Sequence, residues 1–424
     1  MIKFLAKGLL RDRARSLFPI LVITLGVSIV VLMNAYVTGA IGGMYRSTAR
    51  FSTGHVKVQT RAAIQEDVHG VAELALVGNQ MTLKQLESLA PEMSFHERIY
   101  FGALLDAPDD SGETKYQSTA MITAVDLTSK RNEIHTLGLD RSLMDGRLPR
   151  APGEALITQT FQRNIGLKLG DSVTLIGADM DGGMAVGNFT PVGTIRFGVA
   201  QLDRNTLIIG LEDGQEFLAL PDGATEIFGF YKDDQYTYHR PEALEKQFNQ
   251  QHSDPKDEFS PQMRYLEQQN NLESVMVIYK DMMVYIDSLF IMIMAIVLWN
   301  TGLMSGIRRY SEMGVRLAMG ETKRHAYTSL LIESVFVGIA GTLFGTALGL
   351  LPAYWMQEVG IDITGMLSGD MSVMLEDRIR AQITAATYFS GILPGVVAPF
   401  IGALISGLGI FRRDTSRLFV ELEV

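Results

Sequence analysis

Arg309, Glu312 and Arg316 stand three and four residues apart, so on a helix they fall close to one face, where the acid can pair with either base. They belong to the segment Arg308–Gly320, RRYSEMGVRLAMG, in which Gly314 and Gly320 have no side chain to hold another surface away. The chemistry open to such a segment is recognition of a partner protein. Catalysis has less to work with. The seven histidines are scattered without HExxH or comparable metal-ligand spacing, and neither a GxxxxGK[ST] phosphate loop nor a GxSxG elbow occurs. The expectation is a non-enzymatic chain with no cofactor or metal of its own.

The flanks of this segment say where it lies. Apolar runs of at least the roughly 20 residues a membrane helix needs occupy 17–42, 281–307, 326–356 and 383–411. Backbone entering hydrocarbon must satisfy its own hydrogen bonds, so the runs are read as four helices. Lysines and arginines cluster in 1–16, in the connection 308–325 and in the tail 412–424, which puts these three regions on the cytoplasmic side. Residues 43–280 and the loop 357–382 then face outward. The first run is longer than a signal-peptide core and is read as an uncleaved anchor in preference to a cleaved leader. Ahead of it, Ile2, Leu5 and Leu9 share a face opposed to Lys7, Arg11 and Arg15, as in a helix lying in the membrane interface. Asp287 and Glu333 fall near span ends and are read as interface groups as readily as functional ones. Gly338, Gly341, Gly345 and Gly349 fit close helix packing.

Residues 51–275 hold 33 Asp and Glu against 19 Lys and Arg, so the overall charge of −10 belongs to the outer region and is explained by solubility. The basic residues sit at membrane ends, which argues against nucleic acid as a partner. No cysteine is present, so the outer region stands on its apolar core alone. Alternating segments at His55–Thr60, Tyr116–Val125, Ser172–Gly177 and Phe189–Gly198 predict strands. Helical patterns begin at Thr82, Thr158, Leu211 and Arg240. Met263–Val284 has no Gly or Pro and reads as an outward helical continuation of the second span, a stalk.

The segment Arg308–Gly345 resembles the cytoplasmic loop and third helix of the MacB/LolC/FtsX superfamily of ABC-transporter permeases, with Arg309, Glu312, Gly314, Arg316, Ala318 and Gly320 on its R-x-x-E-x-G-x-R-x-A-x-G pattern. Asp145–Gly177, DGRLPRAPGEALITQTFQRNIGLKLGDSVTLIG, is similar to a stretch of the same family's external domain. The resemblance implies a membrane α-helical fold with four transmembrane helices and a large α+β extracytoplasmic domain of two lobes between helices 1 and 2, like the periplasmic domain of MacB. It also implies that 308–325 is a coupling helix gripped by a separate ATPase dimer, which would hold the ATP and Mg. MacB itself carries its ATPase ahead of the first span, whereas 16 residues precede it here, so the expected partner is a LolD-like chain. The size of the outer region makes the sequence most like the LolC/LolE type, which releases lipoproteins from the inner membrane to a periplasmic carrier and pairs with a second permease copy or paralogue.

On that resemblance Met282, Met283, Ile286 and Leu289 would line a lipid cavity, and the loop Gly177–Asn188, with Asp179, Met180, Asp181 and Met184, would meet the carrier. That loop lacks the proline-containing form of the family's carrier hairpin, and the tail after the last span keeps Asp414 without the proline the family often has after it. Efflux of a small molecule or peptide, and FtsX-like signalling to an external cell-wall hydrolase, are the alternatives. The expected location is the bacterial inner membrane, with the large domain in the periplasm.

Overall fold

The computed structural model describes residues 13–66, 70–108, 113–128, 133–232, 239–269, 319–363 and 376–412, and all of 272–297 except 276, 279, 280, 283 and 287. The chain divides into two compact units. One comprises 1–42, 275–362 and 379–424, the other 43–274 and 363–378.

In the first unit the long helices are α1 (Arg13–Thr48), which runs on at its end into the second unit, α7 (Lys323–Val359), and α8 (Ala385–Ser390) followed across Gly391 by α9 (Ile392–Arg412). Among the described residues three helical stretches are long and apolar enough to cross a membrane, Leu17–Thr53, Lys323–Val359 and Ala385–Ile405. They overlap three of the four runs read as spans, the first of them continuing past the expected end at 42. Within the remaining one, 281–307, a shorter apolar helix covers Val284–Val297, and 298–307 lie outside the described residues.

Glycines let these helices approach. A methyl group on Gly341 would lie 2.6 Å from the side chain of Ile23, on Gly349 2.6 Å from the Ser28 carbonyl, and on Gly338 2.8 Å from the Gly395 carbonyl. The Gly-rich face of α7 therefore packs on α1 and α9, in the manner of small residues at membrane helix interfaces. On α1, Leu17, Leu21, Leu25 and Ile29 recur every fourth residue on an exposed face, as a lipid-facing stripe does.

Ten strands form the main sheet of the second unit among the described residues: β1 (Val56–Thr60), β2 (Met93–Pro108), β3 (Thr114–Val125), β4 (Leu143–Gly146), β5 (Glu154–Thr158), β6 (Val173–Ala178), β7 (Met184–Ile195), β8 (Thr206–Gly210), β9 (Glu226–Tyr231) and β10 (Pro261–Tyr265). The order is β10-β1-β9-β2-β3-β8-β5-β7-β4, with β6 bridging β2 and β7. Helices α2 (Asn79–Leu89), α3 (Glu133–Thr136), α4 (Gln159–Ile165), α5 (Leu211–Phe217) and α6 (His239–His252) accompany it. All four sequence-predicted strands and all four predicted helices of the outer region have counterparts here.

Among the described residues three apolar cores lie along this sheet, and β2 serves two of them. The first gathers Leu83 and Leu86 of α2, Phe248 of α6, Val56, Val58 and Phe95; the second gathers Phe101, Leu105, Ile122, Phe161, Leu175 and Phe217. The predicted helical stalk from Met263 is corrected at its start. Met263–Tyr265 belong to β10, which pairs with β1 from Val56↔Tyr265 to Thr60↔Pro261, while 272–275 are helical. Five ladder pairs and the full burial of Met263 outweigh a local pattern that was compatible with helix.

Residues 376 and 377, from the loop expected between the last two spans, are part of this second unit. Ser47 Oγ donates to Glu376 Oε1 at 3.1 Å, Arg196 Nη2 donates to Asp377 Oδ2 at 2.8 Å, and Val199 bridges Glu376 in antiparallel fashion.

Gly345→Val would place its Cβ about 2.7 Å from Val27 Cβ and 2.8 Å from the Thr24 carbonyl. Such overpacking costs about 1–3 kcal/mol. The expected outcome is a lower thermal midpoint in detergent, with Leu343→Val on the exposed face leaving it unchanged.

Candidate functional site

The end of α1 poses the main local problem of the second unit. A π-helical turn, Ala49–Thr53, continues the helix, and Gly54 stops it with φ +62°, a conformation that favours glycine. Helix ends leave carbonyls without intrahelical donors. Here the sheet supplies them. Arg98 Nη1 donates to the Arg50 carbonyl at 2.6 Å, the Tyr100 hydroxyl to the Phe51 carbonyl at 3.1 Å, and Lys57 Nζ to the Ser52 carbonyl at 3.1 Å.

Strand alternation puts these donors together. On β2, Phe95, Ile99 and Phe101 enter the apolar cores, so His96, Arg98 and Tyr100 share the opposite face. Val56 and Val58 do the same for Lys57 and Gln59 on β1. Arg98 and Lys57 are almost completely buried, and each has a buried carboxylate. Glu133, on α3, takes Arg98 Nε at 2.6 Å and faces His96 Nδ1 at 2.6 Å, while Glu226 lies 3.4 Å from Lys57 Nζ and accepts from Gln59 Nε2 at 2.9 Å. The Arg98 guanidinium also stands 4.3 Å from the centre of the Phe228 ring. Cations at the carbonyl end of a helix are further favoured by its dipole.

Burial pushes the Glu133 carboxyl up, but the Arg98 guanidinium and the His96 ring outweigh it and hold the group below its usual range. For Arg98 burial opposes the charge, and Glu133 and Tyr100 together more than offset it. The Tyr100 hydroxyl is pushed up to about 12, chiefly by burial.

The stretch Asp145–Gly177 also acquires a physical meaning. Gly146 has φ +78°, and Arg147 grips Glu154 with two guanidinium nitrogens, one at 2.7 Å. The Arg150 amide donates to the same carboxylate at 2.7 Å, and the Gly153 amide donates to Asp213 of α5 at 3.1 Å. Arg147 and the amides of Arg150 and Ala151 draw Glu154 down to about 2. The pattern therefore fastens a loop that borders an open groove of about 760 Å³, shared with Lys84 and Glu87 of α2 and Glu212 of α5. Among the described residues no group of three or more His, Asp and Glu has the placement of a metal site.

The expected carrier loop is the tip of the β6–β7 hairpin, whose ladder runs from Val173↔Phe189 to Ala178↔Met184. Asp179 organises the tip by accepting from the Asp181 amide at 3.0 Å and the Gly183 amide at 2.7 Å, and Met180 donates its amide to the Leu218 carbonyl at 2.9 Å. Met184 is 82% exposed beside it. Of the expected lipid-cavity residues, Met282 and Leu289 are exposed and Ile286 is half-buried, whereas Met283 lies outside the described residues. Arg309, Glu312, Gly314, Arg316 and Ala318 also lie outside them, as does Asp287. Gly320 is described, with φ +94°, two residues before Thr322, whose hydroxyl caps α7 by accepting from the His325 amide at 3.3 Å.

Sequence reasoning missed the Arg98, Glu133 and Lys57 cluster. The available signal was Lys57, set between Val56 and Val58, whereas Arg98 follows His96 and Glu97 and stands out less. Such a charge has to be paired, but its partner is 35 residues away for Arg98 and 169 away for Lys57.

Residues 287–415 match the family described as FtsX-like permease C-terminal. No curated protein sequence matches the chain. Similar solved structures include the periplasmic region of MacB from Actinobacillus actinomycetemcomitans, at 10% identity over 52% of this chain and 92% of that one, with a TM-score of 0.33. The extracellular domain of the noncanonic ABC-type transporter YknZ from Gram-positive bacteria is similar at 6% identity over 49% and 98%, with a TM-score of 0.32.

Glu133→Gln would leave Arg98 buried opposite a neutral amide. Removing one partner of a buried pair costs about 3–5 kcal/mol. The expected outcome is a lower urea midpoint for the full chain in detergent, followed by circular dichroism. Because Glu133 is held below its ordinary value of 4.5, its contribution is complete above that pH and is lost as pH falls through the lowered value. On acidification below that range the parent should lose stability more steeply than Glu133→Gln does.

Proposed function

We propose that the chain is the membrane subunit of an ABC-type transporter that does mechanical work on the outer side of the bacterial inner membrane, releasing lipoproteins toward the outer membrane. The observation that carries this reading is the FtsX-like permease match over 287–415, which contains the basic segment with Arg309, Glu312 and Arg316 between two apolar runs. That segment is the docking helix for the ATPase, a LolD-like dimer that binds the ATP and Mg. The permease unit itself performs no hydrolysis and works with a second copy or a paralogue.

Cargo handling falls to the outer unit. Its hairpin tip, with Met184 exposed next to the Asp179 turn, is the place for a periplasmic carrier, and the apolar surface at Met282, Ile286 and Leu289 meets the lipid or the acyl chains of the cargo. The work is expulsion outward of a molecule already anchored in the outer leaflet.

Gly314→Pro would remove a backbone donor and break a helix at the centre of the docking segment. Affinity purification of the full chain should recover an ATPase with the parent and not with this variant, while the amount of chain in the membrane stays the same. Normal nucleotide-coupled turnover in Gly314→Pro would overturn the docking role. Depletion of the chain should make lipoproteins accumulate in the inner membrane. Unchanged lipoprotein sorting would remove the cargo assignment, and a cell-wall hydrolase bound to 43–280 in its place would favour signalling.

A further inference from the structure

We infer that the outer surface of the bilayer meets the first unit at Tyr354 and Trp355 of α7 and Tyr388 of α8, with the two tyrosine hydroxyls among the lipid headgroups, so that hydrocarbon ends on α1 near Tyr36 and not where its apolar run ends. This inference rests on the chain spanning a membrane and is independent of the ATPase and of the cargo.

Composition alone does not place the boundary. The apolar stretch Leu17–Thr53 is 37 residues long, whereas hydrocarbon about 30 Å thick takes roughly 20 helical residues. The exposed surfaces of the helices are more informative. On α7, Leu343, Leu348 and Leu351 give way to Tyr354 and Trp355 and then to Glu358. Along α8 and α9 the order runs the other way, from Gln382 ahead of α8 to Tyr388 and Phe389 and then to Ile392 and Leu393. On α1 the exposed stripe that begins at Leu17 stops at Met33, and Val37, the next residue in its every-fourth series, is half-buried.

Packing sets these three changes at one height. Ile23 lies against Gly341, Val27 against Gly345 and Val31 against Gly349, so α1 and α7 advance together, and the same register brings Ala35 to Ala353 and Tyr36 level with Tyr354. The hydroxyls of Tyr354 and Tyr388 share a hydrogen bond at 2.6 Å on an exposed side, which ties α8 to that height. Tyrosine and tryptophan pair an apolar ring with a polar group and suit the level where hydrocarbon meets headgroups. The shared bond uses one of the two hydroxyl hydrogens. The other calls for an oxygen of water or of a lipid headgroup, and hydrocarbon has none. About 20 residues inward, the same register reaches Ser16 on α1 and Ser334 on α7, beside Arg15 and Glu333. Glu333 then falls at the inner surface, as an interface group.

The test uses the full chain in phosphatidylcholine vesicles. Trp299→Phe leaves Trp355 as the single tryptophan, and because the chain has no cysteine, Ile29→Cys, Ile41→Cys, Leu343→Cys and Glu358→Cys can each carry one spin label. Quenching of Trp355 should be at least about twofold stronger with lipid brominated near the headgroup than with lipid brominated near the chain ends. The ratio of oxygen to water-soluble nickel collisions should be high for the labels at 29 and 343 and low for those at 41 and 358. Stronger quenching by chain-end bromine, no quenching by either lipid, or a label at 41 that matches the one at 29 would overturn the boundary. A high ratio at 343 in the same vesicles shows that the span itself still stands. No ATPase takes part in this measurement, so its failure leaves the permease reading standing, and failure to recover an ATPase leaves the boundary standing.

Discussion

Peptide carbonyls at the end of a helix have to be answered, and in the second unit they are answered by buried cations. The first helix stops at Gly54 inside a protein environment where water is scarce, and Arg98, Tyr100 and Lys57 take three consecutive carbonyls. Each cation then needs a carboxylate, which fixes Glu133 and Glu226. Glu133 fixes α3 over the sheet, and Glu226 lies directly opposite Arg98 in the β9–β2 register. One requirement at a helix terminus therefore organises two strands, one helix and the aromatic rings of β9.

The same requirement explains the uneven distribution of apolar residues on β2. One face of this strand serves two of the apolar cores, while the other is polar at its base and more open toward its tip. A strand with a single role would alternate cleanly; this one changes character along its length because its surroundings change.

That change is also why it was hard to read in the sequence. Segments with regular alternation, such as Tyr116–Val125, are legible, and amphipathic helices such as His239–His252 are equally so. Glu226–Tyr231 and Thr206–Gly210 are buried along their whole length or nearly so and carry no alternation to detect. In β2 the run His96, Glu97, Arg98 looks like loop until its partners are known. At Met263 a local pattern free of Gly and Pro favoured helix, and only a ladder to a strand some 200 residues earlier decides otherwise. In the candidate site, the fastening of 145–154 was visible as a motif but not as a loop clasp, because Asp213 enters it from elsewhere in the chain.

The outer unit is sewn from two separate parts of the chain, since 363–378 joins 43–274 through Glu376 and Asp377. A chimaera that exchanged only the long insertion between relatives would carry Ser47 and Arg196 into a host whose matching loop was written for a different domain. The natural module for recombination is thus the pair of segments, and divergence in one would be expected to travel with divergence in the other.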